Sequence, residues 1–362
     1  MTYYNNSRLA AFRRCPQKFV YAYIDRLTSP KPALPLYRGS WVHTILEVDA
    51  LERGLEKDSL LQVPSHVTLP NNDKLTVDTE GRRLIYPGHS TYPLDGNGAI
   101  EVLTDIWGTL FHEEQAHWTD KDGKSLPEAC QMIYDGYLDY YAETLHHEQP
   151  LLLEVTWVRD YEGNMRQGRV DQVLVDHRGR IVVRDHKTTG RAFDPLFKLT
   201  NTQLHLYAWG ITPLLAGHNL APQVLEYDVL STKLPSEPKT NKDGSMSKRK
   251  IVTSTRIMRK VLIDAGHNPD DEQFADLYES WVKDDDFYQR HTMPVQPTVT
   301  KRLLDEDHAT ITAMGHVELD PDRAWRAIDR SCEWCEFAQL CTQELYDMDA
   351  SATRSQFAVR DA

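Results

Sequence analysis

The sequence predicts an α/β fold, and three observations carry that expectation. Apolar residues recur at helical spacing near the N-terminus and again between about residues 100 and 147. Short β-branched runs replace that texture between residues 151 and 187. One more helical stretch and one more strand follow before residue 231, giving the order helix, three strands, helix, strand.

Taken in order, the first 25 residues read as a helix interrupted near Cys15. Ser7 is its expected N-cap, and Leu9, Phe12, Phe19 and Tyr23 share one face. The Pro-rich connector "TSPKPALP" precedes "SWVHTILEVDALERG", an amphipathic helix expected to begin near Ser40. Residues 62–98 are polar and rich in turn formers, which predicts an irregular insertion or small hairpins. A helical zone ends in "MIYDGYLDYYAETLHH". Strands are predicted at 151–158, 168–176 and 180–187, with "DHRG" as the turn between the last two. A helix over roughly 199–216 and a strand at 223–231 complete the core.

Residues 231–260 form a basic island, nine Lys/Arg against two acids, in a chain of net charge −13. The stretch to about 330 reads as helical with loops. We therefore expect a single domain over 1–345 and a flexible tail over 346–362. At 362 residues the chain is long enough for a substantial core. No run of about 18 apolar residues marks a membrane span, and the N-terminus lacks the apolar centre of a secretory signal. Those readings, with five cysteines clustered toward the two ends, point to a cytoplasmic setting and to metal binding rather than disulfides. The acidic balance argues against a nucleic-acid coat but not against a nucleic-acid enzyme, which needs acidic metal ligands beside a basic path.

Candidate chemistry gathers at the strands. Asp185 and Lys187, two apart, share a face at the end of the third strand. Asp171 lies on the preceding strand, where antiparallel pairing brings its carboxylate alongside. Two carboxylates at one spot repel unless a cation sits between them, and oxygen ligands suit Mg²⁺ or Mn²⁺. A lysine beside such an ion orients water and offsets charge on a phosphate. His43 is a further potential ligand, and Gln203 and Tyr207 lie four apart on one helix face.

In chain order the pieces read His43, "GRVDQ" with Asp171, "DHK" with Asp185 and Lys187, then "QLHLY" with Gln203 and Tyr207. This arrangement resembles the RecB-like branch of the PD-(D/E)XK nuclease superfamily. The resemblance covers His43, residues 150–231 and the chain ends. It implies a restriction-endonuclease-like core, a mixed central sheet flanked by helices. It implies that His43, Asp171, Asp185 and the main-chain carbonyl of His186 hold Mg or Mn, and that Lys187 is the catalytic lysine. Gln203 and Tyr207 would support the site or hold the DNA strand, and Glu154 would be a supporting acid. The first acidic motif lacks the proline of the superfamily's name, which is usual in this branch.

The stretch "DRSCEWCEFAQLC" supplies Cys332, Cys335 and Cys341 and leaves the fourth ligand of a soft-metal site open between Cys15, Cys130 and a histidine. Cys130 lies inside an amphipathic helix, where a lone cysteine usually acts as a small buried hydrophobe. Cys15 breaks a helix before a proline, and Arg13 and Arg14 favour its thiolate. A clip from Cys15 to the three C-terminal cysteines would join residues 7–25 to 328–345 across most of the chain, where loop closure matters most. Its spacing resembles AddB-type nuclease domains and CRISPR-associated RecB-like exonucleases, which implies a [4Fe–4S] cluster joining the terminal helices. Four thiolates equally suit Zn²⁺.

Lys239, Lys242, Lys248, Arg249 and Lys250 are the expected phosphate contacts. The expected function is a metal-dependent DNA exonuclease acting on single-stranded DNA or frayed ends in recombination, repair or phage-type DNA processing. No Gly-x4-Gly-Lys-Ser/Thr motif is present, so unwinding would come from a helicase or recombination partner. The alternatives are a catalytically silent DNA-binding scaffold of the same fold, a CRISPR-adaptation nuclease and a zinc-clipped RNA-processing enzyme.

Overall fold

The computed structural model describes residues 2–28, 34–88, 91–110, 119, 123–190, 193–194, 202–241, 245–247 and 249–360. Part of the Pro-rich connector, the expected start of the 199–216 helix, and Lys242 and Lys248 lie outside the described residues.

Strand β1 (Tyr3–Tyr4) leads into α1 (Asn6–Arg14). The cap is Asn5 rather than Ser7: its side-chain oxygen accepts from the Arg8 N–H at 2.8 Å. Cys15 ends α1 in an extended conformation, and Pro16 opens the short α2 (Pro16–Phe19), where a missing N–H costs nothing. A π-helical turn (Val20–Ile24) and β2 (Leu27–Thr28) follow. Helix α3 (Leu34–Glu56) begins earlier than the expected Ser40. The 62–98 insertion forms its own antiparallel sheet of β3 (His66–Thr68), β4 (Lys74–Asp78), β5 (Arg83–Ile85) and β6 (Thr91–Pro93). Helices α4 (Gly96–Leu110) and α5 (Leu126–His147) come next, the latter with a Ser125/Glu128 capping box.

The central sheet starts with β7 (Gln149–Tyr161), β8 (Asn164–Val175) and β9 (Ile181–Thr189). Glu162 and Gly163 both take positive φ in the two-residue turn between β7 and β8, as a tight hairpin requires. Between β8 and β9, Asp176 accepts from the backbone of Arg178 and Arg180, so "DHRG" is the expected turn. Then come α6 (Gln203–Ala216), β10 (Val224–Ser231), α7 (Thr255–Asp264) and α8 (Ala275–Trp281). The chain closes with β11 (Tyr288–Pro294), α9 (Pro297–Leu319), α10 (Ala338–Leu345), α11 (Ser351–Arg354) and β12 (Ala358–Val359).

The sheet is mixed: β7, β8 and β9 are antiparallel neighbours, β10 runs parallel to β9, and β11 is antiparallel to β10. Helices α3, α4 and α5 build one core on one face, and α6 packs Leu204, Ala208, Ile211 and Leu215 on the other. Both faces are covered, as the apolar strands require.

One detail positions the site. Strand β9 pairs with β8 only over Gln172–Val175, then continues alongside β10 alone. Farther along the same edge of β8, β1 pairs with Met165 and Arg166. The sheet therefore forks, and β8 residues between the two pairings face an opening.

The ends of the chain are packed. Asp307 of α9 is buried, accepts from Arg13 at 2.6 Å and ion-pairs with Arg166 at 2.6 Å, holding α1 against β8. The tail expected to be flexible instead pairs Ala358 with Thr28 and Val359 with Leu27, and Arg354 bridges Asp25 and Glu344 at 2.9 Å each. Packing of the tail's Ala350 and Phe357 on the cluster of Tyr21, Leu27, Phe337 and Leu340 explains the difference. Among the described residues no helix is long and apolar enough to cross a membrane.

Candidate active site

A cleft of about 1320 Å³ opens at the fork. His43, Asp171, Asp185, Lys187, Gln203 and Tyr207 all line it, together with Arg13 and Arg14 of α1. Each arrives from its element for a local reason. The β8–β9 pairing ends with Gln172 opposite Arg184, so Asp171 and Asp185 are the first residues past the last pair, where the strands part, and both line the cleft. Strand alternation sends Lys187 to the face of Asp185, and Arg184 and His186 to the other. His186 contributes its main chain here, its N–H donating to Asp171 Oδ2 at 2.8 Å.

Helix α3 delivers His43 because Gly39 lets the helix close on β9. A Cβ at Gly39 would stand 2.7 Å from Thr188 Oγ1. His43 Nδ1 consequently comes within 3.5 Å of Asp171 Oδ2. Burial pushes its imidazole down to about 4 against the opposing pull of Asp171, so the ring is neutral near pH 7.

Lys187 Nζ lies 2.5 Å from Asp185 Oδ2 and donates to Gln203 Oε1 at 3.2 Å. Gln203 Nε2 donates in turn to the Tyr207 hydroxyl. One face of α6 thus braces the ammonium. Burial, reinforced by Asp171, pushes the Asp185 carboxyl up to about 7 despite Lys187.

The sequence reading ranked Glu154 as supporting and missed Glu47. The pairs on either side, Leu153 with Gln172 and Val155 with Val170, set Glu154 across from Asp171. Glu154 has a φ of +48°, a strained region for a non-glycine residue. It ion-pairs with Arg169 at 2.7 Å, yet burial and Asp171 push it to about 8. Burial and Glu154 also raise Glu47 well above the carboxylate range. Both line a recess of about 280 Å³ that shares His43 and Arg169 with the cleft. The signal for Glu47 was present: it follows His43 by one helical turn.

Four acids share this buried corner with Lys187 and Arg169, and the raised values of Asp185, Glu154 and Glu47 show that they cannot all ionise together there, a cost that a hard divalent cation relieves. The oxygen-rich donor set of Asp171 and Asp185 with a neutral His43 fits Mg²⁺ or Mn²⁺. As they stand, no group of three or more His, Cys, Asp or Glu side chains among the described residues is already spaced to hold a metal ion.

Behind the site a buried polar layer fixes the strands. Arg184 pairs with Glu148 at 2.6 Å and Glu226 at 2.7 Å, and Arg290 with Glu148 at 2.6 Å and Asp228 at 3.3 Å. His186 Nδ1 lies 3.3 Å from Asp228.

Other expected residues lie elsewhere. Lys239, Arg249 and Lys250 line a separate cavity of about 610 Å³ with Lys124. None of the three lines the cleft at the fork, because the segment after β10 runs over α5 rather than back across the sheet fork. Cys15, Cys332, Cys335 and Cys341 line one pocket of about 290 Å³, brought there from the α1–α2 break, the turn before α10 and α10 itself. Cys130 is fully buried in α5, where burial pushes its thiol up to about 12.

The sequence profile of the PD-(D/E)XK nuclease superfamily matches residues 4–342. Among solved structures, the chain is similar to a "Putative exonuclease" from Eubacterium rectale, with 10% identity over 66% of this chain and 72% of that one, at a TM-score of 0.34. It is also similar to a protein named SSO0001, with 13% identity over 58% of this chain and 68% of that one, at a TM-score of 0.27. No curated protein sequence matches.

Proposed function

Because this chain belongs to the PD-(D/E)XK nuclease superfamily, we propose that the cleft hydrolyses DNA phosphodiesters as a divalent-metal-dependent exonuclease of the RecB-like branch. The observation that carries the proposal is the meeting of His43, Asp171, Asp185, Lys187, Gln203 and Tyr207 at one opening from four separate elements, α3, β8, β9 and α6. His43, Asp171, Asp185 and the His186 carbonyl would hold Mg or Mn. The chemistry such an ion supplies is Lewis acidity toward a phosphoryl oxygen and a lowered pKa for bound water.

The chain's own residues do the rest. Lys187 Nζ, held by Asp185 and Gln203, orients the attacking water and balances charge on the phosphorus oxygens. The attacking water gives up a proton to solvent as its oxygen bonds to phosphorus, the bond to the leaving oxygen breaks, and the leaving oxygen takes up a proton from solvent. Tyr207 and Gln203 keep the ammonium aimed at the reacting group. Arg13 is occupied by Asp307, whereas Arg14 forms no ion pair with a described residue and is available for a flanking phosphate. A cleft walled by α1 suits one strand or a frayed end better than a duplex.

We also propose that Cys15, Cys332, Cys335 and Cys341 hold a [4Fe–4S] cluster, with Zn²⁺ as the alternative. The supporting observation is four thiols from both chain ends in one pocket.

The test is end-labelled single-stranded DNA with Mg²⁺ or Mn²⁺, wild type beside Lys187→Ala. Cleavage by wild type alone supports this site, and the ladder from each labelled end gives polarity. Binding without cleavage by either protein refutes it in favour of a silent scaffold.

A further inference from the structure

The rim of the cysteine pocket carries large apolar side chains that the fold does not use. Ile328 is 70% exposed, Trp334 68% and Tyr346 71%, and all three line the pocket. Such a patch on a globular surface marks an interaction site. Cations stand among these residues. Arg14 and Arg326 line the same pocket, and the Arg330 guanidinium lies 5.8 Å from the centre of the Trp334 ring. Exposed rings interleaved with guanidiniums are what unstacked bases and their phosphates require.

The patch is also continuous with the catalytic cleft. Arg14 lines both cavities, since it is the last residue of α1 and stands next to Cys15. A strand leaving the cleft past Arg14 therefore arrives at this rim.

We propose that the rim of the cysteine pocket is a single-strand track, with Trp334 as its stacking platform and Arg14 as the phosphate contact joining it to the cleft. The inference rests on the nuclease reading above and names where the substrate lies beyond the scissile bond. Single-stranded DNA is the occupant because a duplex buries its base faces, and because the pocket is lined by Arg14, Lys18 and Arg326 with no carboxylate among the described residues that line it, and meets the cleft at Arg14.

The test uses anaerobically purified full-length protein in a Lys187→Ala background and a fluorescein-labelled oligothymidine. Its length is about 16 nucleotides, the upper end of single-strand site sizes. Fluorescence anisotropy should show Trp334→Ala binding roughly 5- to 100-fold more weakly and Trp334→Phe within about threefold, the signature of a lost and a conserved stack. Photocross-linking of a 5-iodouracil oligonucleotide to otherwise unaltered protein should yield adducts on Trp334 or Tyr346, and it decides the matter should Trp334→Ala fail to fold. Unchanged affinity in a folded Trp334→Ala protein overturns the track. So do adducts confined to cleft residues, or a patch that captures another protein but no DNA. Because binding is read without turnover, a chain that binds here yet never cleaves refutes hydrolysis alone. Metal-dependent cleavage with no Trp334 effect refutes the track alone.

Discussion

Gly39→Ala isolates how the site is assembled without touching a candidate ligand. The new methyl would stand 2.7 Å from Thr188 Oγ1, where ordinary contact begins at 3.4 Å, so α3 must retreat from β9 by about 0.7 Å or Thr188 must turn. His43 follows Gly39 by one turn and moves with the helix, away from an Asp171 oxygen now 3.5 Å off. A misplacement of about 1 Å costs up to roughly 100-fold in rate, so a loss of about 10- to 100-fold in kcat is expected. Stability should hold, because Ala is favoured over Gly inside a helix by about 1 kcal/mol. Thr188→Ala removes the clashing hydroxyl and leaves the Thr188 Cβ at an ordinary 3.9 Å from the new methyl. The double variant should therefore recover to within a few-fold of wild type. Initial rates on end-labelled DNA for the four proteins, with melting temperatures alongside, complete the cycle. Full activity in Gly39→Ala would refute the reasoning, as would a loss that Thr188→Ala does not reverse.

Asp185→Asn should lower cleavage by at least roughly 100-fold while oligonucleotide binding persists. Mn²⁺ should raise the melting temperature of wild type and not of this variant. Glu148 should govern acid stability. Burial raises its carboxyl, but Arg184 and Arg290 outweigh burial and hold it at about 2, against an ordinary 4.5. Its folded value is depressed, so its contribution is full above about pH 4.5 and disappears as pH falls toward 2, a loss of roughly 3 kcal/mol at 1.36 kcal/mol per pH unit. Urea unfolding at pH 7 and pH 3 should show a larger drop for wild type than for Glu148→Gln, which should already be weaker at pH 7 by about 3–5 kcal/mol. Cys335→Ala should lose the brown absorbance of anaerobically purified protein and melt earlier; a brown, stable variant would exclude Cys335 as a ligand.

Much of the core was legible because its signals are local. Alternation over 168–176 and 180–187, with "DHRG" between them, fixes a hairpin, and a hairpin register brings Asp171 to Asp185. Helical spacing likewise places Gln203 beneath Tyr207, where the two side chains meet. The reading failed where distant segments decide. Asn5 outcompetes Ser7 as cap because β1 pairs with β8 and sets where the helix starts. The last residues look frayed in isolation but gain order from Leu27 and Thr28. Charge along the chain marked Lys239, Arg249 and Lys250 as phosphate contacts, but only packing shows that they line a cavity separate from the cleft.

By itself the sequence determined the strand and helix order, the in-register acids, Lys187 and the four-cysteine spacing, because each depends on short-range periodicity or on spacing along the chain. Tertiary structure decided that β9 leaves β8 to open a cleft, and that α1 walls it through Asp307. It also decided that Glu47 and Glu154 share a corner beside His43, and that Arg14 joins the cleft to the cysteine pocket. Those relations depend on packing between segments far apart in the chain. No local periodicity encodes them, because the burial that stabilises them exists only once the sheet and helices have met.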